Sequence, residues 1–128
     1  MTRPTAIRTE AAPAPFQGAP YSQAIKSGDF VFVSGQLGLK PGDTQISGTI
    51  QEQTEQIFRN LNAILKAAGS NLDQIVKTTV FLVNLSDFGA MNEVYAEHVG
   101  ENRPARSTVE IGALPSGALV EIEAIATV

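Results

Sequence analysis

Apolar residues take up regular spacings soon after residue 20, and the period of that spacing changes several times along the chain. Residues 21–25 and 30–34 read as strands, and Ser27-Gly28-Asp29 between them is turn-forming, which predicts a hairpin. Pro41-Gly42-Asp43 signals another turn. The period then lengthens. Ile57, Leu61, Ile64, Leu65 and Ala68 recur at helical spacing behind Thr49 and Glu52, whose separation is that of a capping box. Gly69 stands where a helix C-terminal glycine belongs. Residues 75–83 are rich in β-branched side chains and of strand length. A second helix is predicted from Ser86 or Asp87 to Gly100, with Phe88, Met91 and Tyr95 as its buried stripe. Residues 106–111 and 119–126 read as two closing strands, joined through Leu114-Pro115-Ser116-Gly117. Residues 1–19 hold three prolines and little periodicity, and read as an extended arm. This order of elements predicts a single α+β domain over residues 1–128, one sheet carrying both helices on one face.

Side chains alternate across a strand, so the closing strands can be split into faces. Val120, Ile122, Ala124 and Ala126 share one face, which is expected to pack on the helices, and Leu119, Glu121, Glu123 and Ile125 share the other. In the preceding strand Ser107, Val109 and Ile111 fall together, opposite Arg106, Thr108 and Glu110. Lys77 sits among Ile75, Thr79, Phe81 and Val83. The expectation is one sheet face that mixes apolar residues with Arg106 and the glutamates. Such a face is too apolar to stay wet and too charged for a core, since an unpaired buried charge is costly. A subunit interface enclosing small polar pockets accommodates both.

Composition removes several kinds of chemistry. The chain has 128 residues and no cysteine, which excludes disulfides, thiolate metal sites and a cysteine nucleophile. No apolar run is long enough to span a bilayer, and the first ten residues lack the apolar stretch of a secretory signal, so a cytoplasmic location is expected. A short transit remnant around Arg3 and Arg8 is the lesser reading. The net charge of −4 argues against general nucleic-acid binding. The single histidine, His98, is expected at the surface near a helix C-terminus, and no metal site is expected. Ser34-Gly35-Gln36-Leu37-Gly38 has neither phosphate-loop spacing nor the surroundings of a hydrolase serine.

Arg106, Glu121, Tyr21 and the backbone near Gly35 remain. Arginine presents a rigid fork matched to a carboxylate. A partly buried glutamate can pass a proton through water, and tyrosine offers a hydroxyl and an aromatic wall. Taken alone, Arg106 and Glu121 read equally well as a modest catalytic site, a carboxylate clamp with one acid/base, and as structural charges, either an ion pair or the rim of an interface.

The segments Ala19-Pro20-Tyr21-Ser22-Gln23-Ala24, Phe32-Val33-Ser34-Gly35-Gln36, Val76-Lys77-Thr78-Thr79-Val80, Met91-Asn92-Glu93-Val94-Tyr95, Pro104-Ala105-Arg106-Ser107-Thr108 and Val120-Glu121-Ile122-Glu123-Ala124-Ile125-Ala126 occur in the order and spacing of one family. On them the chain resembles the reactive intermediate deaminase A family, also called YjgF or RidA-type, from about Ile7 onward. The resemblance implies a chorismate-mutase-like fold: a mixed sheet of about six strands with two helices on one face, assembled as a homotrimer with a central barrel and sites between subunits. It implies hydrolysis of enamine and imine intermediates of the 2-aminoacrylate and 2-iminopropanoate class to 2-keto acids and ammonia, without a cofactor. On charge and composition, neither nucleic acid nor membrane is expected as a partner. By the family's pattern Arg106 holds the substrate carboxylate, Glu121 holds water, Tyr21 lines the site, and Ser34 and Gly35 supply a backbone contact. Asn92 falls near the site. Thr108 stands where many members have cysteine, and keeps only a backbone contact. Gly18-Ala19-Pro20-Tyr21 is one residue longer than the family's usual Gly-Pro-Tyr. The alternatives are a ligand- or client-binding trimer without turnover and, less favoured, an endoribonuclease-like homologue.

Overall fold

The computed structural model describes residues 3–128. Six strands form one sheet: β1 (Thr5–Ile7), β2 (Ala24–Ser27), β3 (Phe30–Leu37), β4 (Ile75–Leu82), β5 (Ala105–Glu110) and β6 (Val120–Thr127), in spatial order β1-β2-β3-β6-β4-β5. All pairs are antiparallel except β4 with β5, so the sheet is mixed, as the family pattern implies. The parallel step is made by helix α2 (Phe88–Val99), which crosses from β4 to β5, while α1 (Ile50–Ala67) links β3 to β4. Among the described residues no helix is long and apolar enough to cross a membrane.

Both ends of α1 follow from local chemistry. The Thr49 hydroxyl accepts from the Glu52 amide, and the Glu52 carboxylate accepts from the Thr49 amide. A cap of this kind stabilises a helix by about 1 kcal/mol. At the other end Gly69, at φ 83°, allows the Ser70 amide to reach the Leu65 carbonyl and its own amide the Lys66 carbonyl. This closes the helix as a Schellman motif. Ile57, Phe58, Leu61, Ile64 and Leu65 are fully buried against Val31, Val80, Val120 and Ile122 of the sheet. Met91, Tyr95 and Val99 of α2 join the same cluster, so both helices cover one sheet face.

The sheet corrects several expectations. The arm contains β1, which pairs with β2, and a single helical turn at Phe16–Gly18; its first two residues lie outside the described ones. The second strand begins at Ala24 rather than at residue 21, which leaves Tyr21 in the connection before it. Phe88 is not core: it is 40% exposed, at the open side of α2. Ile75 is buried rather than beside Lys77, because the β4–β6 register shifts between them. His98 is not a free surface residue. Its ring stacks on Phe58 at 4.8 Å, and Nε2 lies 2.9 Å from Glu55 of α1.

Candidate functional site

Glu121 lies on the face of β6 that the helices do not cover, between the inward-facing Val120 and Ile122. Its strand neighbour β3 carries a bulge there: Val33 opposes Ala124 but Gln36 opposes Ile122, so one extra residue is accommodated at Ser34-Gly35. Bulges re-aim side chains beside functional sites. Here the Ser34 hydroxyl turns to donate to the Ser22 carbonyl at 2.6 Å, and the Gly35 backbone passes directly under Glu121. A Cβ at Gly35 would stand 2.7 Å from the Glu121 carboxyl carbon and 2.9 Å from Oε1. Glycine is the residue that leaves room for the carboxylate. Burial, reinforced by the neighbouring Glu123 charge, pushes the Glu121 carboxyl above the ordinary glutamate range.

These groups line a cavity of about 590 Å³ together with Tyr21, Phe16, Leu39 and Pro115. Tyr21 is 44% exposed, and its Oη accepts from the Phe16 amide at 2.6 Å. Phe16 and Pro115 enter through two single helical turns, each with a residue in the left-handed region, Gln17 at φ 52° and Ser116 at φ 55°.

Arg106 is not there. In the parallel register it pairs with Thr78, whose hydroxyl is buried against Tyr95 Oη at 2.6 Å beneath α2. Arg106 therefore points to the helix side of the sheet, and Glu121 to the other. The expectation that they share a face is wrong, and so is the reading of the two as an ion pair. The cause lies in β5, an edge strand: Val109, on the strand face opposite Arg106, is 43% exposed on the side of the sheet the helices leave uncovered.

The guanidinium of Arg106 has its own setting. Nη1 donates to Asn92 Oδ1 at 2.8 Å, and the group lies 4.7 Å from the Tyr95 ring centre and 5.4 Å from that of Phe88. Asn92 and the two rings come from one stripe of α2 at positions 88, 92 and 95, and they shape an open pocket of about 470 Å³. Among the described residues Arg106 pairs with no carboxylate. Planar cations stack well on aromatic faces, and the rest of the fork remains available to an anion. Thr108, on the same side of β5, pairs with Val80, and its hydroxyl is buried without a partner among the described residues. No cluster of metal-ligating side chains occurs among them.

The structure thus brings Glu121, Gly35, Ser34 and Tyr21 together, and separately Arg106 and Asn92, with Thr108 on the same side of β5. Sequence reasoning missed the cradle of Phe88 and Tyr95 because their helical spacing read as core. The signal was an arginine on the strand that follows the stripe.

The face bearing Glu121 also carries exposed Phe32 and Val109, with Ile25, Phe81 and Ile125 half-buried. This is a broad apolar surface for a lone chain to leave in water.

A family model described as endoribonuclease L-PSP matches residues 9–128. A RutC family protein of Pyrococcus horikoshii is 51% identical over 121 residues, covering 94% of each chain. The 2-iminobutanoate/2-iminopropanoate deaminase of Mus musculus is 45% identical over 121 residues, covering 94% of this chain and 88% of its own. The crystal structure of RidA from an Antarctic Psychrobacter superimposes with a TM-score of 0.92 at 44% identity, covering 97% of this chain and 99% of that one.

Proposed function

Because this chain belongs to the YjgF/RidA family, we propose that it hydrolyses small 2-imino acids to 2-keto acids and ammonia, in sites completed by two copies of the chain. The observation that carries the reading is Arg106: a guanidinium seated on two rings and held by one amide, with no acid of its own among the described residues. Such a group suits a carboxylate, bound in bidentate fashion. The opposite placement of Arg106 and Glu121 supports a site shared between copies. The uncovered apolar sheet face supports an assembly that buries it, and a homotrimer closed around that face is the proposed form.

In the proposed reaction Arg106 of one copy holds the substrate carboxylate and keeps the C=N carbon beside Glu121 of the next. Glu121, ionised, accepts a proton from water as the oxygen bonds to that carbon. The C=N bond becomes a C–N single bond as Glu121 passes that proton to the nitrogen. When the resulting carbinolamine collapses, Glu121 takes the hydroxyl proton as the keto C=O forms and gives it to the nitrogen as the C–N bond breaks, and ammonia leaves. The sum is R–C(=NH)–COO⁻ plus water giving R–CO–COO⁻ plus ammonia. Raising the pKa of a carboxyl makes it a stronger base for taking the proton and leaves it able to give the proton back. Tyr21 closes one side, and the Gly35 backbone lies against the carboxylate. Imines of this kind are already prone to hydrolysis in water, so positioning supplies much of the effect. The cytoplasm is the proposed compartment.

A dehydratase that generates imines from several amino acids, with keto acid followed in the presence and absence of this protein, tests the activity. An unchanged rate would refute it and favour a binding role. Light scattering tests the trimer, and a monomer at micromolar concentration would overturn the shared site. The family's endoribonuclease description supplies a second reading. Against it stand the net charge of −4 and a single histidine stacked on Phe58.

A further inference from the structure

Gln23 is 4% exposed, and its side-chain amide is devoted to the arm. Oε1 accepts from the Thr9 amide at 2.7 Å. Nε2 donates to the carbonyls of Thr9 at 3.0 Å, Ala12 at 3.2 Å and Pro13 at 2.8 Å. Three acceptors for two N–H groups means that one hydrogen is shared, so the donor capacity is saturated. Between β1 and the Phe16–Gly18 turn the chain has no regular element. A buried amide stands there in place of a strand ladder.

Immediately beyond this clasp the arm reaches the candidate site. Pro13, Ala14, Phe16 and Gln17 line the cavity that holds Glu121, and the Phe16 amide donates to Tyr21 Oη. That bond occupies an acceptor position on the phenol and leaves its own proton free to donate.

We propose that Gln23 is a positioning residue: by clasping residues 9–13 it fixes the Phe16–Gly18 turn, and through the Phe16 amide it fixes Tyr21, so that the arm becomes the wall against which a substrate side chain packs. The clasp is a property of the fold. Its catalytic consequence rests on the deaminase reading above. Releasing the arm removes a wall and leaves Glu121 and Arg106 in place. Binding of imines with large side chains suffers, and the bond-making steps do not.

Hydrogen exchange at single amides tests the clasp without reference to catalysis. In the natural chain the Thr9 and Phe16 amides are expected to be protected. Gln23→Met should speed exchange at both by about tenfold or more, the signature of local opening. Tyr21→Phe should release Phe16 and leave Thr9 protected. Should Gln23→Met fail to fold, Gln23→Glu is measured in its place; it keeps the acceptor for Thr9 but sets a carboxylate against three carbonyls, and should release Phe16. Unchanged protection of Phe16 in a folded Gln23 variant overturns the proposal. In the coupled assay a folded Gln23 variant should raise KM for a leucine-derived imine by about tenfold, with kcat held within about twofold and a smaller effect on 2-iminopropanoate, as expected when positioning alone is lost. An equal fall in kcat for both imines, or no change for either, also overturns it. If the natural protein hydrolyses no imine at all, the deaminase reading fails, and the exchange data still decide the clasp.

Discussion

Gly35→Ala is the smallest change that reaches the candidate chemistry. The added methyl would lie 2.7 Å from the Glu121 carboxyl carbon, 2.9 Å from Oε1 and 3.0 Å from Cγ, closer than carbon atoms pack. The backbone at Gly35 is not in the left-handed region, so alanine brings no conformational strain of its own. The whole effect falls on Glu121, which has to rotate away or leave its preferred rotamer, at about 0.5–1.5 kcal/mol. Folding should therefore survive, with a modest loss of stability. Activity should not. If Glu121 moves the proton, displacing it forfeits most of an acid–base contribution, about 100-fold or more. The assay is keto-acid release from a dehydratase-generated imine, alongside thermal unfolding of the same samples. A double-mutant cycle isolates the route. With Glu121→Ala already in place there is no carboxylate to displace, so adding Gly35→Ala should cost almost nothing more. Full activity of Gly35→Ala, or a large further loss on top of Glu121→Ala, would refute the reasoning.

Arg106→Ala should abolish imine hydrolysis and leave the fold intact, and Arg106→Lys should also be poor, because an ammonium cannot reproduce the planar fork; activity in either, measured in the coupled assay, would make Arg106 structural. Glu121 has a pH signature in stability. Its carboxyl titrates higher folded than unfolded, so the folded state pays no penalty in acid and loses stability as pH rises through the ordinary glutamate range to the raised value. Glu121→Gln should match the natural chain in acid and gain on it towards neutrality in denaturant titrations. A constant difference across that window would show that burial does not hold the carboxyl up. Thr108→Cys should leave the rate nearly unchanged, since the hydroxyl has no partner to lose within the described chain. It should add peroxide sensitivity, and a tenfold loss before oxidant would bring the hydroxyl into the chemistry.

Features with a dense local signal were legible from the sequence. The capping box at Thr49 and Glu52, the closing glycine at Gly69 and the alternation of β6 each depend on residues close in the chain, and each was found where it was expected. β1 was not legible, because three residues are too few to carry a period and its side chains are mostly exposed. The side taken by Arg106 escaped for a different reason. Alternation gives parity along a strand, and which parity meets the helices must be judged from where the apolar residues lie. In β5 that rule fails because the uncovered face is apolar as well: Val109 belongs to it, while the polar Arg106 and Thr108 lie under α2. Gln23 gave no sign at all, since its partners are backbone groups ten to fourteen residues away.

The separation of Arg106 from Glu121 across the sheet bears on how such a chain can change over generations. If the two halves are supplied by neighbouring copies, as proposed above, a duplicated gene cannot drift in private. Its product would enter rings with the original, and a change of taste in one copy's carboxylate grip would be read out against the other copy's water-holding half. New specificity would have to arise together with a surface that refuses the old partner, or else in a cell compartment the old partner never enters.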